Sequence, residues 1–275
     1  MKVHIATIHW PYGKWIDIQH HYLRKNISSE YQCYAVVNQD TEVKGHEFNY
    51  ISKSSLSDHA KHLNHLLSYV SEISTDDNEI LVFLDGDAFP VAPIDEYLMN
   101  RLEDFPLIAI QRLENNGEFL PHPSFCAAKI GFWKEIGPAW GETGSLTEFG
   151  RDPGGKLFDS LESKGIIWGK VLRTNRINLH PLFFGIYDNI IYHHGAGFRD
   201  PISRIDLSEL NQAELQQKFL SRIAEMIPAK YLQRLKRLIS PFRKKEFKII
   251  LQNRILQDDV YMQILSDKGF YKRFI

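Results

Sequence analysis

Two carboxylates, Asp85 and Asp87, flank Gly86 directly after the apolar run Ile80 to Leu84. Residues two apart on an extended segment project to the same side, so this pair can converge on one cation. Carboxylate oxygens suit hard cations such as Mg2+ or Mn2+, and Mg2+ is typically held by one or two carboxylates together with substrate phosphates. Gly86 lets backbone or ligand approach closely. The plainer alternative is an acidic turn after a strand. The buried run favours a site, because ligands of open α/β sheets gather at the carboxyl ends of strands.

A second group of the same character occurs at Asn189-Ile-Ile-Tyr-His-His-Gly-Ala-Gly-Phe-Arg199, where an apolar strand ends in a histidine pair, two glycines and an arginine. His193 or His194 can act as a third metal ligand. Gly195 and Gly197 let backbone amides approach phosphate oxygens, and Arg199 offers a fork for phosphate or carboxylate. Near the N-terminus, Thr7 lies towards the end of the first expected strand, and Trp10 and Tyr12 follow in a turn-like loop where a ring can stack on a base. Ordinary packing of those rings is the alternative. The loop Thr147 to Gly155 carries Glu148 and Asp152, candidates for a catalytic base or an acceptor clamp, although Asp152 also suits a helix N-cap.

The elements that must position these groups alternate between strand and helix patterns. Strands are expected at Lys2 to Ile8, Tyr34 to Asn38, Phe48 to Ile51, Ile80 to Leu84, Leu107 to Gln111 and His122 onwards. Helices are expected at 16–26, after a cap at Ser54, Ser55 or Ser57, at Asp95 to Leu102, near Gly131 to Trp133, and around Leu157, Phe158 and Leu161. In the second helix Leu56, Ala60, Leu63, Leu67 and Val70 form one apolar face. Its start, with Lys53, Asp58 and Asn64 nearby, can be offered to a diphosphate. His59, His62 and His65 lie three apart on it, which allows a metal site, but they read rather as a solvated face, since successive steps of three drift around a helix.

A chain of 275 residues with 43% hydrophobic and 24% charged residues can bury a sizeable core, which excludes a disordered protein. Two cysteines, Cys33 and Cys126, show neither metal-ligand spacing nor a disulfide framework, so a reducing compartment is expected. No stretch reads as a signal peptide or a membrane span, and the expectation is a cytoplasmic protein. The charges are unevenly placed, with 15 Lys and Arg against 8 Asp and Glu from Pro201 to Ile275. Between Ile227 and Lys245 there are seven basic residues and no acidic one, with Leu232, Leu235, Ile239 and Phe242 at heptad-like spacing. Such a helix either binds the anionic inner face of a membrane or packs on its own domain with its basic face solvated.

Leu81-Val-Phe-Leu-Asp-Gly-Asp87, together with the later His-Gly-Ala-Gly197, resembles the GT-A glycosyltransferases over about residues 1 to 200. The resemblance implies an α/β fold with a GT-A (Rossmann-like) mixed sheet flanked by helices in residues 1–204. The basic, helical C-terminal extension of 205–275 lies beyond it. It also implies transfer of a sugar from a UDP- or GDP-sugar to a hydroxyl of a glycan or lipid-linked acceptor, assisted by Mn2+ or Mg2+. On this analogy Asp87 ligates the metal, Asp85 contacts the ribose or the metal through water, and His194 completes the site, with His193 in the alternative register. Thr7, Trp10, Tyr12 and Lys53 join Asp85, Gly195, Gly197 and Arg199 as donor-binding candidates. An inverting enzyme would use Asp152, or Glu148, as general base. No nucleic-acid partner is expected. The competing readings are a haloacid-dehalogenase-like phosphatase with Asp85 as nucleophile, and a non-enzymatic membrane-binding module working through the tail.

Overall fold

The computed structural model describes residues 1–43, 48–55, 58–113, 119–141, 153–176, 184–195, 255–267 and 269–275. The chain divides into two compact units, Met1–Phe198 with Tyr271–Ile275, and Arg199–Phe270. In the first unit the elements follow as β1 (Lys2–His9), α1 (Ile16–Asn26), β2 (Glu30–Asn38), β3 (Tyr50–Ser54), α2 (His59–Ile73), β4 (Ile80–Asp85) and β5 (Ala88–Pro90). Then come α3 (Asp95–Asp104), β6 (Leu107–Ile110), β7 (His122–Lys129), α4 (Ile130–Ile136), α5 (Gly155–Ser163), β8 (Gly169–Val171), β9 (Gly185–Tyr187) and β10 (Ile191–His193).

Seven of the strands form one sheet in the order β3-β2-β1-β4-β7-β6-β8, and β5-β10-β9 form a small second sheet. β1 pairs in parallel with β2 on one side and β4 on the other, and β3 continues the parallel set. β7 runs antiparallel to both β4 and β6, which makes the sheet mixed. The mixed α/β sheet flanked by helices expected from the sequence is therefore what the chain forms. β1 to β4 end at the same edge, and β4 delivers Asp85 there.

The sheet is buried on both faces, so its strands read as nearly continuous apolar runs. Their alternation still sorts the side chains. Val3, Ile5, Val82, Leu84, Ile108 and Phe125 face a core closed by Ile16 and Leu23 of α1 and by Leu98 and Leu102 of α3. Ala6, Ile8, Leu81, Phe83, Ala109 and Cys126 face the other, closed by Leu63, Leu66 and Val70 of α2, Trp133 of α4 and Leu157 of α5. Each fully buried Leu or Val contributes roughly 1.5–3 kcal/mol relative to exposure. The α2 face is close to the expected one, but its N-cap is Asp58, whose side chain accepts from Lys61 N, and not one of the preceding serines. β2 begins at Glu30, four residues before the expected strand.

In the second unit, residues 255–266 are helical, with Val260 and Ile264 buried one turn apart. The basic stretch 227–245 lies outside the described residues.

Candidate metal centre

The Asp85-Gly86-Asp87 turn is held from two sides. Gly86 N donates to Ile8 O of β1 at 3.1 Å. From α1, Gln19 Nε2 donates to Asp85 O at 2.9 Å and to Ala88 O at 2.8 Å, bridging the two ends of the turn. Gln19 Oε1 lies 3.1 Å from His9 Nε2, and since an amide oxygen only accepts, that histidine nitrogen carries the proton. Burial, reinforced by nearby His20 and opposed by the Gln19 hydrogen bond, depresses the His9 pKa to about 3, so His9 is neutral near pH 7. Asn26 Nδ2 adds a bond to Pro90 O at 2.7 Å, fixing β5 to the end of α1.

The histidine pair arrives on the β9–β10 hairpin, whose turn places Asp188 and Asn189 at φ 47° and 56°. Asp and Asn tolerate this left-handed conformation better than most side chains. Asp188 also ties the turn down, accepting from Tyr97 OH at 2.8 Å and Leu172 N at 3.3 Å. β10 pairs with β5 so that His193 lies opposite Ala88. His194 N then donates to Asp87 O at 3.0 Å.

As a result, His193 Nε2 stands 3.6 Å from Asp85 Oδ2 and 3.6 Å from Asp87 Oδ1. Asp85, Asp87 and His193 each offer a ligand atom within 4.8 Å of the others. His59, in the first turn of α2, places Nε2 3.3 Å from Asp85 Oδ1. His122 of β7 lies behind, its ring 5.8 Å from that of His193. Its Nδ1 accepts from Ser124 N at 3.1 Å. Burial alone would raise the Asp85 pKa. The hydrogen bond and charge of His59, with His122 and His193, overcome it and hold the carboxyl well below the usual range. The His122 pKa is also depressed, well below that of an ordinary histidine, by burial and by the neighbouring Arg112, His193 and His59, against the pull of Asp85. Two carboxylate oxygens and one imidazole nitrogen, converging at a largely buried place with Asp85 ionised, form a donor set that fits a divalent cation.

His193, not the His194 of the preferred register, is the histidine beside the two carboxylates. Successive residues on a strand point to opposite sides, so only one of them can face the pair. His194 turns away, with Nδ1 2.9 Å from Tyr192 OH and its ring 4.6 Å from that of Trp15. Gly195 has φ +67°, a conformation that favours glycine, and directly follows the histidine pair. Thr7 is fully buried within the sheet, opposite Ala35 and Leu84. Trp10 is half-buried with its ring 5.9 Å from that of His62. Tyr12, 43% exposed, lines an open cavity of about 360 Å³ together with Asn38, Asp40 and Glu42. Lys53 is exposed on β3, three strands from β4, with Nζ 3.4 Å from Gln39 O. At ~4.8 Å per strand that is a separation of ~14 Å. Asn64 is engaged with the Trp140 backbone and Asp58 caps α2. Glu148, Asp152, Gly197 and Arg199 lie outside the described residues.

Gln19, His59 and His122 belong to this neighbourhood without having been expected there. A polar residue at an inward-facing helical position was the signal for Gln19. For His59 the row of three histidines concealed it, because only the first reaches the sheet edge.

No family model matches the chain, and no curated protein matches its sequence. Among solved structures it is similar to A197 from STIV, at 11% identity and a TM-score of 0.42, over 74% of this chain and 97% of that one. It is also similar to the mannosyltransferase PcManGT from Pyrobaculum calidifontis, described in complex with GDP-Man and Mn2+. That match has 12% identity, a TM-score of 0.43, and covers 61% of this chain and 54% of the other. A third is TarS of S. aureus, at 13% identity and a TM-score of 0.34, covering 50% of this chain and 30% of that one. Likeness at this level assigns neither activity nor substrate to this chain.

Proposed function

We propose that the chain is a metal-dependent glycosyltransferase that moves a sugar from a UDP- or GDP-sugar to a hydroxyl of a glycan or lipid-linked acceptor. The observation that carries this reading is the convergence of Asp85, Asp87 and His193 where β4 ends beside β1. Asp87, Asp85 and His193 are the residues that would hold the cation, and the imidazole in the set favours Mn2+ over Mg2+. When bound, the cation supplies positive charge against the negative charge that develops on a diphosphate leaving group.

The remaining roles fall to the chain's own groups. Tyr12, at the cavity beside Asn38 and Asp40, stacks on the nucleobase, with Trp10 shaping the same loop. Lys53 meets the nucleoside half of the donor, Thr7 supports that loop from within the sheet, and Gly195, with Gly197 and Arg199, approaches the phosphate oxygens. In an inverting reaction Asp152, or else Glu148, takes the proton of the acceptor hydroxyl. Residues 1–204 form the catalytic part. The basic extension 205–275 brings it to an anionic membrane surface at the cytoplasmic face, where a lipid-linked acceptor would be presented.

The test is a screen of UDP- and GDP-sugars with Mn2+ and no acceptor. Slow release of nucleoside diphosphate, lost in Asp87→Ala, is expected. Release of inorganic phosphate from a generic phosphoester, lost in Asp85→Asn, with every nucleotide sugar untouched, would replace this reading with the phosphatase one.

A further inference from the structure

Three histidines of α2 lie three apart, yet their surroundings differ. The His62 ring lies 5.9 Å from that of Trp10, and His65 Nε2 meets Tyr50 OH at 3.0 Å. His59 alone of the three stands at the carboxylate pair, its Nε2 3.3 Å from Asp85 Oδ1. The other oxygen of that carboxylate, Oδ2, is the one 3.6 Å from His193 Nε2. Asp85 thus has its two oxygens divided between two histidines from different elements.

We propose that His59 is a positioning residue of the metal centre. Its Nε2, 3.3 Å from Asp85 Oδ1, engages that oxygen and so keeps Oδ2 turned towards the place shared with Asp87 Oδ1 and His193 Nε2. This rests on the reading of Asp85, Asp87 and His193 as a cation site. The physical reason is rotational. A carboxylate at a strand end turns about its side-chain bonds, and a partner on one oxygen fixes which lone pairs the other presents, as outer hydrogen bonds do for metal-ligating groups. α2 is a firm support for such a partner. Asp58 caps it through Lys61 N at 3.0 Å, and Asn64 clasps the Trp140 backbone with bonds of 2.8 and 3.0 Å. Leu63, Leu66 and Val70 bury its apolar face against the sheet. The His59 side chain itself is 38% exposed, so replacing it leaves the core intact.

The experiment is titration of Mn2+ into the full chain, followed by the electron paramagnetic resonance of the free ion, for wild type, His59→Ala, His59→Gln and Asp87→Ala. His59→Ala is expected to bind Mn2+ roughly 10–100-fold more weakly, the usual cost of losing an outer partner of a ligand. His59→Gln, whose amide nitrogen reaches about as far as Nε2, is expected to restore most of that loss. Both should melt within about 2 °C of wild type, as exposed substitutions do. Wild-type affinity in His59→Ala overturns the positioning role and leaves the cation site standing. Loss of binding in both His59 variants equal to that of Asp87→Ala also overturns it, since His59 would then be a ligand. A wild-type chain that binds no Mn2+ overturns the cation reading itself.

Discussion

Gln19 supports the acidic turn, and His9 supports Gln19. Gln19 satisfies two backbone carbonyls at the ends of the turn while fully buried. Gln19→Leu strands both carbonyls in a dry site and is expected to cost roughly 1–3 kcal/mol in urea unfolding; an unchanged midpoint would show that the turn holds itself. His9 gives a pH dependence of definite sign. Its folded pKa of about 3 lies below the ordinary 6.5, so the unfolded chain takes up the proton first as pH falls. Its contribution is complete above about pH 6.5 and is lost progressively down to about pH 3, by at most ~1.4 kcal/mol per pH unit. His9→Gln should flatten the fall in stability between pH 6.5 and 4, and an identical slope in the variant would contradict the assignment. Asp85, whose pKa is also depressed, loses its share only below the ordinary carboxylate value, so its window lies mostly lower. Among individual residues the sequence made Asp85 and Asp87 legible because strand and turn are local. The choice between His193 and His194 was not, since it depends on the register of β10 against β5, a pairing across about a hundred residues.

The hairpin of β9 and β10 is the element on which the third ligand candidate depends. Asp188→Ala removes the acceptor for Tyr97 OH and Leu172 N and puts a methyl side chain at φ 47°. About 1–3 kcal/mol of stability should be lost, measured by thermal melting, with Mn2+ affinity falling in parallel if the hairpin carries His193 to the site. Retained affinity with lowered stability would uncouple the two. Strands such as Ile80 to Leu84 and Leu107 to Ile110 were readable because burial on both faces writes a continuous apolar run. β5 and β9, three residues each, were not. Neither has length enough to show a period, and β5 pairs with β10 about a hundred residues away. The antiparallel sense of β7 was likewise invisible, because an apolar run has no direction.

Over the whole chain, the seven-stranded mixed sheet agrees with the alternation of strand and helix patterns read along the sequence. Tyr271–Ile275 belong to the first unit, where Phe274 O accepts from Arg176 N at 2.7 Å and the Tyr271 ring lies 6.1 Å from that of Tyr22. A fragment of residues 1–204 is therefore expected to melt below the full chain, and equal melting would show these contacts to be dispensable. Among the described residues no helix is long and apolar enough to cross a membrane. In the proposed function Asp85, Asp87 and His193 hold a cation that in turn recruits a nucleoside diphosphate. The most direct measurement is calorimetric titration of UDP and GDP into the protein with Mn2+ and with chelator, for wild type and Asp87→Ala. Binding of one nucleotide by wild type only with Mn2+, and by Asp87→Ala under neither condition, is the predicted result. Binding that persists with chelator and is unchanged in Asp87→Ala would contradict it.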